Sequence, residues 1–245
     1  GGGIRSMVTD FHSHILPGID DGSKHTQISI QMMEREMADG VNKIVLTPHF
    51  YAMKDSVDRF LDRRQSSYNR LTAAIAGRSD LPQLLTGAEV YYFPGMGKAE
   101  QLLQLCISGT DILMLEMPFA QWTEAMVQDV KDMIYRRHLS VIIVHIERYY
   151  RFQKKKEYWN EIFRLPVTAQ LNAECFTGGF RERHFGIRYL KSGASALLGT
   201  DCHNLESRAP QLAKARTYIQ KKLGQETLDR IDRLGSEILK HEKKN

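Results

Sequence analysis

Short apolar, β-branched runs recur along this chain, and a histidine or a carboxylate lies at or within two residues of almost every run's end. The runs are Val8–Phe11, Lys43–Thr47, Gln83–Tyr91, Ile112–Glu116, Val141–His145, Val167–Ala173 and Ala194–Gly199. Segments with helical periodicity or helix-forming composition lie between and after them: Thr26–Asp39, Ser56–Gly77, Thr123–His138, Tyr158–Arg164, His184–Ser192, Gln211–Leu223 and Glu226–His241. This alternation predicts a parallel sheet whose strands are covered by crossover helices.

Two architectures accommodate seven parallel strands, namely a closed β/α barrel and an open, doubly wound sheet. Side chains of metal-ligand type stand at the carboxyl ends of six or seven different strands. In a barrel these ends converge on one rim, whereas the outermost ends of an open sheet lie far apart. We therefore predict an α/β fold, a distorted TIM-like (β/α)7 barrel. With no Pro/Gly-rich linker, residues 7–245 are predicted to form one domain, and Gly1–Ser6 is interpreted as a vector-derived remnant.

The ligand-type residues are the strongest functional signal in the sequence. Alternation along a strand would point His12 and His14 to one face, and Asp201 and His203 likewise. A single strand-end histidine is more often structural, so the inference depends on how many strand ends carry such a residue. The predicted metal ligands are His12, His14, Asp21, His49, Glu89, Glu116, His145, Asp201 and His203.

Nine ligands suit two or three ions, with carboxylates as bridges between them. Four carboxylates against three divalent ions would leave net positive charge for a hydroxide and a phosphate dianion. Imidazoles and carboxylates without thiolate favour manganese, iron or zinc over magnesium or calcium, and the sequence does not choose among the three. Arg148 and Arg208 follow ligand-bearing strands, and we predict that their guanidinium groups bind phosphate oxygens.

Charge, cysteine content and hydropathy indicate which partners and which cellular location suit this chain. The net charge of +5 and the isoelectric point near 9.0 favour an acidic partner, such as phosphate, a phosphopeptide or nucleic acid. The lysine runs Lys154–Lys156 and Lys240–Lys244 lack interleaved aromatic residues, so we interpret them as solvated surface. The three cysteines are an odd number with no pairing pattern in the sequence, which predicts a reducing, cytoplasmic location. No apolar stretch approaches the roughly 20 residues that cross a membrane.

Five stretches together resemble the PHP (polymerase and histidinol phosphatase) superfamily, in its branch of bacterial manganese-dependent protein tyrosine phosphatases from capsular and extracellular polysaccharide operons. They are DFHSHILPGIDDGS (Asp10–Ser23), ADGVNKIVLTPHF (Ala38–Phe50), GAEVYY (Gly87–Tyr92), HIERY (His145–Tyr149) and LLGTDCHNLESR (Leu197–Arg208). The resemblance implies a PHP-type barrel, manganese, and a phosphotyrosine substrate on the tail of a cognate bacterial tyrosine kinase.

The resemblance also distributes the nine residues among three ions. The first ion would be held by His12, His14, Glu89 and Asp201. Glu89 would bridge to a second ion that is ligated by His49 and Glu116, with His145 nearby. Asp21 and His203 would help to hold the third, and Arg148 and Arg208 match phosphate-binding arginines. A hydroxide held between two ions would then attack phosphorus in line.

Several other functions compete with this one. Within the superfamily, the chain could be a phosphatase of histidinol phosphate or another small molecule, a DNA-processing nuclease, or a non-catalytic scaffold. Cys202 and Arg208 also fit the C-x5-R spacing of cysteine-dependent phosphatases, but their loop lacks glycines and Glu206 would repel a phosphate. We predict neither nucleic-acid binding nor membrane insertion, and the oligomeric state is left open.

Overall fold

The computed structural model describes residues 7–240. The interpretations of Gly1–Ser6 and of the tail beyond Lys240, including the end of the last predicted helix at His241, lie outside the described residues. The strand segments are β1 (Thr9–Ser13), β2 (Lys43–Leu46), β3 (His49–Phe50), β4 (Gln83–Thr86), β5 (Glu89–Tyr91), β6 (Ile112–Glu116), β7 (Ser140–Ile143), β8 (Thr168–Asn172) and β9 (Ala196–Gly199).

The helices lie between and after these strands. They are α1 (Thr26–Ala38), α2 (Val57–Ala74), α3 (Glu124–Tyr135), α4 (Glu157–Arg164), the single turn α5 (Glu174–Thr177), α6 (Phe180–Lys191), α7 (Leu212–Leu223) and α8 (Gln225–Ile238). Short 3-10 segments occur at Met96–Lys98, Glu100–Leu105, Ile146–Arg148 and Tyr150–Phe152. Helix α5 was not predicted, and α6 begins four residues before the predicted start at His184, because Gly178-Gly179 end one helix and allow the next to begin.

All strand pairs are parallel and follow the order of the chain. One sheet has the order β1-β2-β4 and the other the order β3-β5-β6-β7-β8-β9. Segments β2 and β3 are one strand interrupted at Thr47-Pro48, and β4 and β5 are one strand interrupted at Gly87-Ala88. The two sheets therefore form one series of seven strands, as the sequence predicts.

The first and last strands of this series lie side by side. Ser13 and Cys202 form a parallel bridge, the His14 N–H donates to the Cys202 carbonyl at 2.9 Å, and the Asp201 N–H donates to the His12 carbonyl at 2.6 Å. These bonds bring the ends of the series together at the carboxyl edge of the strands. The fold is the distorted (β/α)7 barrel that the strand ends predicted, rather than the open sheet.

Apolar side chains fill the interior below this edge. Phe11, Val45, Met114, Ile142 and Leu197, each from a different strand, are buried in one cluster. A larger cluster packs the helices onto the outside of the strands. The barrel is therefore a packed core, and its polar residues gather above that core at the carboxyl ends.

Strand ends depart from the prediction at residues that matter for the site. Strand β7 ends at Ile143 and β9 at Gly199, and His145 and Asp201 adopt left-handed backbone conformations with φ of 32° and 52°. Asp201 and His203 therefore do not alternate along a strand. That part of the prediction is wrong, because β9 ends at Gly199 and the left-handed backbone of Asp201 changes the direction of the chain before His203.

Gly199 provides a test of how tightly β9 approaches β1. A Cβ atom at this position would lie 2.6 Å from His12 Cβ and 2.9 Å from Gln170 Nε2. We expect Gly199→Ala to lower the free energy of unfolding by about 1–3 kcal/mol, measured by chemical denaturation, because neither neighbour can move freely. Gly87→Ala, whose Cβ would meet atoms at 3.4–3.5 Å, is the matched control. Equal effects of both changes would contradict this account.

Candidate metal centre

Four potential ligand atoms converge above the β1–β9 contact. The Nε2 atom of His12 lies 3.2 Å from both Glu89 Oε1 and Asp201 Oδ1, and His14 Nε2 lies 3.2 Å and 3.1 Å from the same two oxygens. All four residues are buried, and they form a group able to hold an ion. Within residues 7–240, neither Nε2 atom nor Glu89 Oε1 has a hydrogen-bond partner. Burying nitrogen and oxygen atoms that lack a hydrogen-bond partner costs free energy, and a bound cation would offset this cost.

The second oxygen of Glu89 faces another group. His145 Nε2 lies 3.2 Å from Glu89 Oε2 and 2.9 Å from Glu116 Oε2. His49 Nδ1 lies 3.1 Å from Glu89 Oε1, and His49, Glu89 and Glu116 also lie close enough to share an ion. The Glu89 carboxylate is therefore shared by both groups, with Oε1 beside His12, His14 and His49 and Oε2 beside His145.

A third group surrounds the outer nitrogen of His49. His49 Nε2 lies 3.2 Å and His203 Nε2 3.4 Å from Asp21 Oδ1. The His14 and His203 rings are 4.0 Å apart, and these four residues form another possible ion site. The Asp21 side chain is 64% exposed, so this group lies at the mouth of the centre. His49 thus contacts two groups, whereas the resemblance assigned it only to the group with Glu116.

The protonation of the cluster follows from its burial and its carboxylates. Burial alone would lower the pKa of His145, but its hydrogen bonds with Glu116 and Glu89 raise this pKa to about 10. Burial would raise the pKa of Glu89, and the neighbouring imidazoles, first among them His12, hold it well below its usual value. The chain therefore keeps Glu89 charged and His145 protonated at neutral pH. A divalent ion that enters must displace protons, so its affinity rises with pH.

Three further residues, which the sequence did not identify as functional, orient the histidines. Gln170 Oε1 accepts hydrogen bonds from His12 Nδ1 at 2.9 Å and from the His145 N–H at 3.0 Å. Gln170 Nε2 donates to Asn172 Oδ1, and Asn172 Nδ2 donates to Asp201 Oδ2. These contacts direct His12 Nε2 towards the centre. In the sequence, Gln170 and Asn172 are ordinary residues of a buried strand, and no pattern distinguishes them.

Asp20 performs the same task for His14. Its Oδ2 atom accepts a hydrogen bond from His14 Nδ1 at 2.9 Å and one from the His49 N–H at 3.1 Å, while its Oδ1 atom accepts from the Gly22 N–H. Burial opposes ionisation of Asp20, but the bond from His14 lowers its pKa to about 2. The sequence predicts a role for the neighbouring Asp21 and none for Asp20.

Two guanidinium groups lie at the mouth of the centre. Arg208 Nη2 lies 3.0 Å and Arg148 Nη1 3.4 Å from Asp201 Oδ2, and both side chains are about one third exposed. Arg148 also lines a cavity of about 310 Å³ with Phe119, Arg151 and Glu174. The two predicted phosphate contacts therefore lie beside the oxygen of Asp201 that faces away from His12 and His14.

Cys202 cannot act as a surface nucleophile. Its side chain is fully buried, and burial, followed by the charges of Glu36 and Asp10, raises the pKa of the thiol well above its ordinary value. A reactive cysteine requires a thiolate that substrate can reach. The C-x5-R spacing is therefore coincidental.

A model of the family described as capsular polysaccharide synthesis, CpsB/CapC, matches residues 8–239. The chain belongs to this family. The resemblance to phosphatases of polysaccharide operons is thereby confirmed. Among the described residues, we find no helix long and apolar enough to cross a bilayer.

Several members and neighbours of the CpsB/CapC family are similar over most of the chain. The tyrosine-protein phosphatase CpsB of Streptococcus agalactiae is 25% identical over 91% of this chain and 94% of its own. The tyrosine-protein phosphatase YwqE of Bacillus subtilis is 24% identical over 89% of this chain and 86% of its own. A solved structure from work on YwqE and on CpsB of Streptococcus pneumoniae, described as metal-dependent tyrosine phosphatases, superposes with a TM-score of 0.83 at 20% identity over 96% of both chains.

A more distant structure supports the same fold. The phosphotriesterase homology protein of Escherichia coli, solved with phosphate in its active site, gives a TM-score of 0.57 at 11% identity over 97% of this chain and all of its own. The two chains therefore share a fold.

Gln170 allows the positioning of His12 to be tested in this CpsB/CapC member. We expect Gln170→Leu to weaken manganese binding about 10- to 100-fold in isothermal titration calorimetry, because His12 loses the acceptor that directs Nε2 inward. The control is Gln153→Leu, which removes another buried glutamine whose bonds go to Trp122, Ala120 and Tyr149. If both variants lost affinity equally, general destabilisation would explain the result and the positioning role would be rejected.

Proposed function

We propose that the chain is a metal-dependent protein tyrosine phosphatase that hydrolyses phosphotyrosine on proteins. The observation that carries this proposal is the set of unpartnered, buried ligand atoms around Glu89 with two guanidinium groups at its mouth. Support for the substrate comes from the relatives, which are named tyrosine-protein phosphatases across 22–25% identity. Residues 7–240 act together in this proposal as a single phosphatase domain.

We propose all nine residues predicted from the sequence as the ligands of two or three ions. They are His12, His14, Asp21, His49, Glu89, Glu116, His145, Asp201 and His203. Manganese is the proposed ion, with iron and zinc as alternatives, because the donors are nitrogen and oxygen atoms without thiolate. Bound divalent ions would act as Lewis acids on the phosphoryl oxygens and would lower the pKa of a water molecule towards neutrality.

The arginines would hold the phosphate in this scheme. Arg208 and Arg148 approach the same oxygen of Asp201, so a dianion seated beside Asp201 would lie within reach of both guanidinium groups. Such charge-assisted bonds orient the phosphate and stabilise negative charge that develops in the transition state. The leaving group is the tyrosine phenolate, whose conjugate acid has a pKa of about 10, so its departure needs less assistance from a general acid than that of an aliphatic alkoxide.

Aromatic side chains flank the centre on two sides and would contact the phenol ring of the substrate. Phe119 stacks on His145 with ring centroids 5.7 Å apart, and Tyr51 stacks on His49 at 5.4 Å. Phe119 is partly exposed. A planar aryl group could stack on these rings, whereas the aliphatic carbons that carry the phosphate of histidinol phosphate could not.

The wider setting is also part of the proposal. We propose that the protein substrate is the tail of a bacterial tyrosine kinase, and that the reaction regulates capsular or extracellular polysaccharide synthesis in the cytoplasm. This follows from the family to which the chain belongs and from the names of its relatives. Histidinol-phosphate hydrolysis and DNA processing are the competing activities.

Phosphate release from a phosphotyrosine peptide tests the proposed function. We expect release by the manganese-loaded protein, at least 100-fold loss after chelation, recovery with added manganese, and no effect of thiol alkylation or of Cys202→Ser. Activity that survives chelation but disappears on alkylation would contradict the proposal. Phosphate release only from histidinol phosphate or from DNA ends would show that the substrate is that compound and not phosphotyrosine.

The role of Arg208 is tested separately. We expect Arg208→Ala to reduce kcat/KM for a phosphotyrosine peptide about 100- to 1,000-fold, the range for losing one donor to a developing charge. Arg136→Ala is the control, because Arg136 is exposed, lies directly after α3 and forms an ion pair with Asp132 one turn earlier. If the two variants had equal activity, Arg208 would have no role in phosphate binding.

A further inference from the structure

A groove on the outer surface is lined mainly by aromatic and basic side chains. It lies between α4, α6 and the turn at Tyr150, and encloses about 530 Å³. We call it the aromatic groove, and the residues used to define it are Tyr150, Trp159, Phe180, Arg181, Phe185 and Arg188. None of the nine proposed ligands lines it, so it is separate from the metal centre.

The aromatic groove exposes large rings to water. Phe180 is 75% exposed and Tyr150 is 40% exposed, whereas Trp159 is almost fully buried below them. The Tyr150 and Trp159 rings meet edge to face at 5.2 Å, and Phe185 lies 5.7 Å from Tyr150. The floor is thus a rigid aromatic layer, and adjacent exposed rings of this kind are characteristic of recognition surfaces.

The charge of the groove is entirely positive. Arg181 and Arg188 are exposed, lie seven residues apart on α6, and form no ion pair with any carboxylate in the part of the chain that the structure describes. No aspartate or glutamate lines the groove. Lys156, from the lysine run that sequence analysis interpreted as solvated surface, places Nζ 3.5 Å from the centre of the Tyr150 ring. The groove therefore combines aromatic contacts with unneutralised cations.

The groove adjoins the entrance to the metal centre. The cavity that contains Arg148 is also lined by Arg151, Gly179 and Glu182, while the next residues along the chain, Tyr150 and Phe180, line the groove. The turn at Tyr150–Phe152 and the start of α6 thus separate two adjoining depressions. A peptide with phosphotyrosine at Arg148 could cross this ridge and place its flanking residues in the groove.

We propose that the aromatic groove binds an acidic, aromatic-containing peptide segment that flanks the phosphotyrosine of the protein substrate. The proposal rests on the proposed phosphatase function. Carboxylates of the segment pair with Arg181 and Arg188, and an aromatic side chain packs against Phe180 and Tyr150. Charge complementarity excludes a basic partner, and a second copy of this chain, with its net charge of +5, brings no acidic excess.

Direct binding tests the groove without requiring catalysis. The probe is a fluorescein-labelled, unphosphorylated 12-residue peptide of alternating glutamate and tyrosine, followed by fluorescence anisotropy in the presence of chelator. We expect the double variant Arg181→Glu/Arg188→Glu to bind at least tenfold more weakly than the unaltered protein, and Phe180→Ser to bind more weakly with the charges intact. Lys214→Glu/Lys221→Glu is the matched control, because it reverses two exposed charges at the same spacing on α7.

Kinetics then connect the groove to the reaction. For each variant we compare two values of kcat/KM, one for the phosphorylated form of this peptide and one for p-nitrophenyl phosphate. We expect the ratio of the first to the second to be about tenfold lower in Arg181→Glu/Arg188→Glu than in the unaltered protein. The Lys214→Glu/Lys221→Glu control should retain the ratio of the unaltered protein. Thermal unfolding of each variant distinguishes lost contacts from lost structure.

Several results would overturn the proposal. Two concern the peptide: equal affinity in the groove variants and the control, or an unchanged kinetic ratio. Two concern other occupants: binding of an oligonucleotide, in place of the peptide, that the groove variants abolish, or a change of oligomeric mass that the groove variants alone cause. Peptide binding without any phosphotyrosine hydrolysis by the unaltered protein would overturn the proposed function and leave peptide binding at the groove supported.

Discussion

Burial of the Glu89 carboxylate is the constraint on which the rest of the site depends. Its Oε1 atom lies 3.1–3.2 Å from nitrogens of His12, His14 and His49, and its Oε2 atom lies 3.2 Å from His145. A charge removed from water in this way is expensive unless cations surround it. The imidazoles supply that compensation when they are protonated, and divalent ions would supply it more strongly.

Such a cluster requires a rigid frame, and the contact between β1 and β9 provides it. Asp10 accepts hydrogen bonds from the N–H and hydroxyl of Thr200 at 2.8 Å and 2.6 Å, and from the His12 N–H at 3.1 Å. Gly199 permits the close approach that these bonds require, since a Cβ atom there would collide with His12. The same contact that brings the first and last strands together therefore also aligns His12 with Asp201.

The sequence predicted the barrel because the fold follows from local pattern, and the nine residues proposed as ligands were chosen from the same pattern. Apolar runs ended by ligand-type residues are visible in the chain, and parallel strands bring their carboxyl ends together whatever the detailed geometry. The left-handed conformations of His145 and Asp201 were not predicted, because they arise from long-range contacts. Gln170 was missed for a similar reason: its function depends on facing His12, 158 residues away.

The metal centre and the aromatic groove would recognise different parts of a substrate, the phosphotyrosine itself and the residues that flank it. In the proposed function, the arginines and the metal ligands would contact the phosphate, and Phe119 and Tyr51 would contact the aryl ring. Every phosphotyrosine has these two features, so the centre alone would discriminate little among protein substrates. Selection among them must come from residues that flank the phosphotyrosine, since only these differ. The strand ends fix the centre, whereas α6 and the Tyr150 turn lie outside the barrel wall and can change without disturbing the ligands. A barrel of this kind can therefore keep one chemistry while its outer helices set the partner.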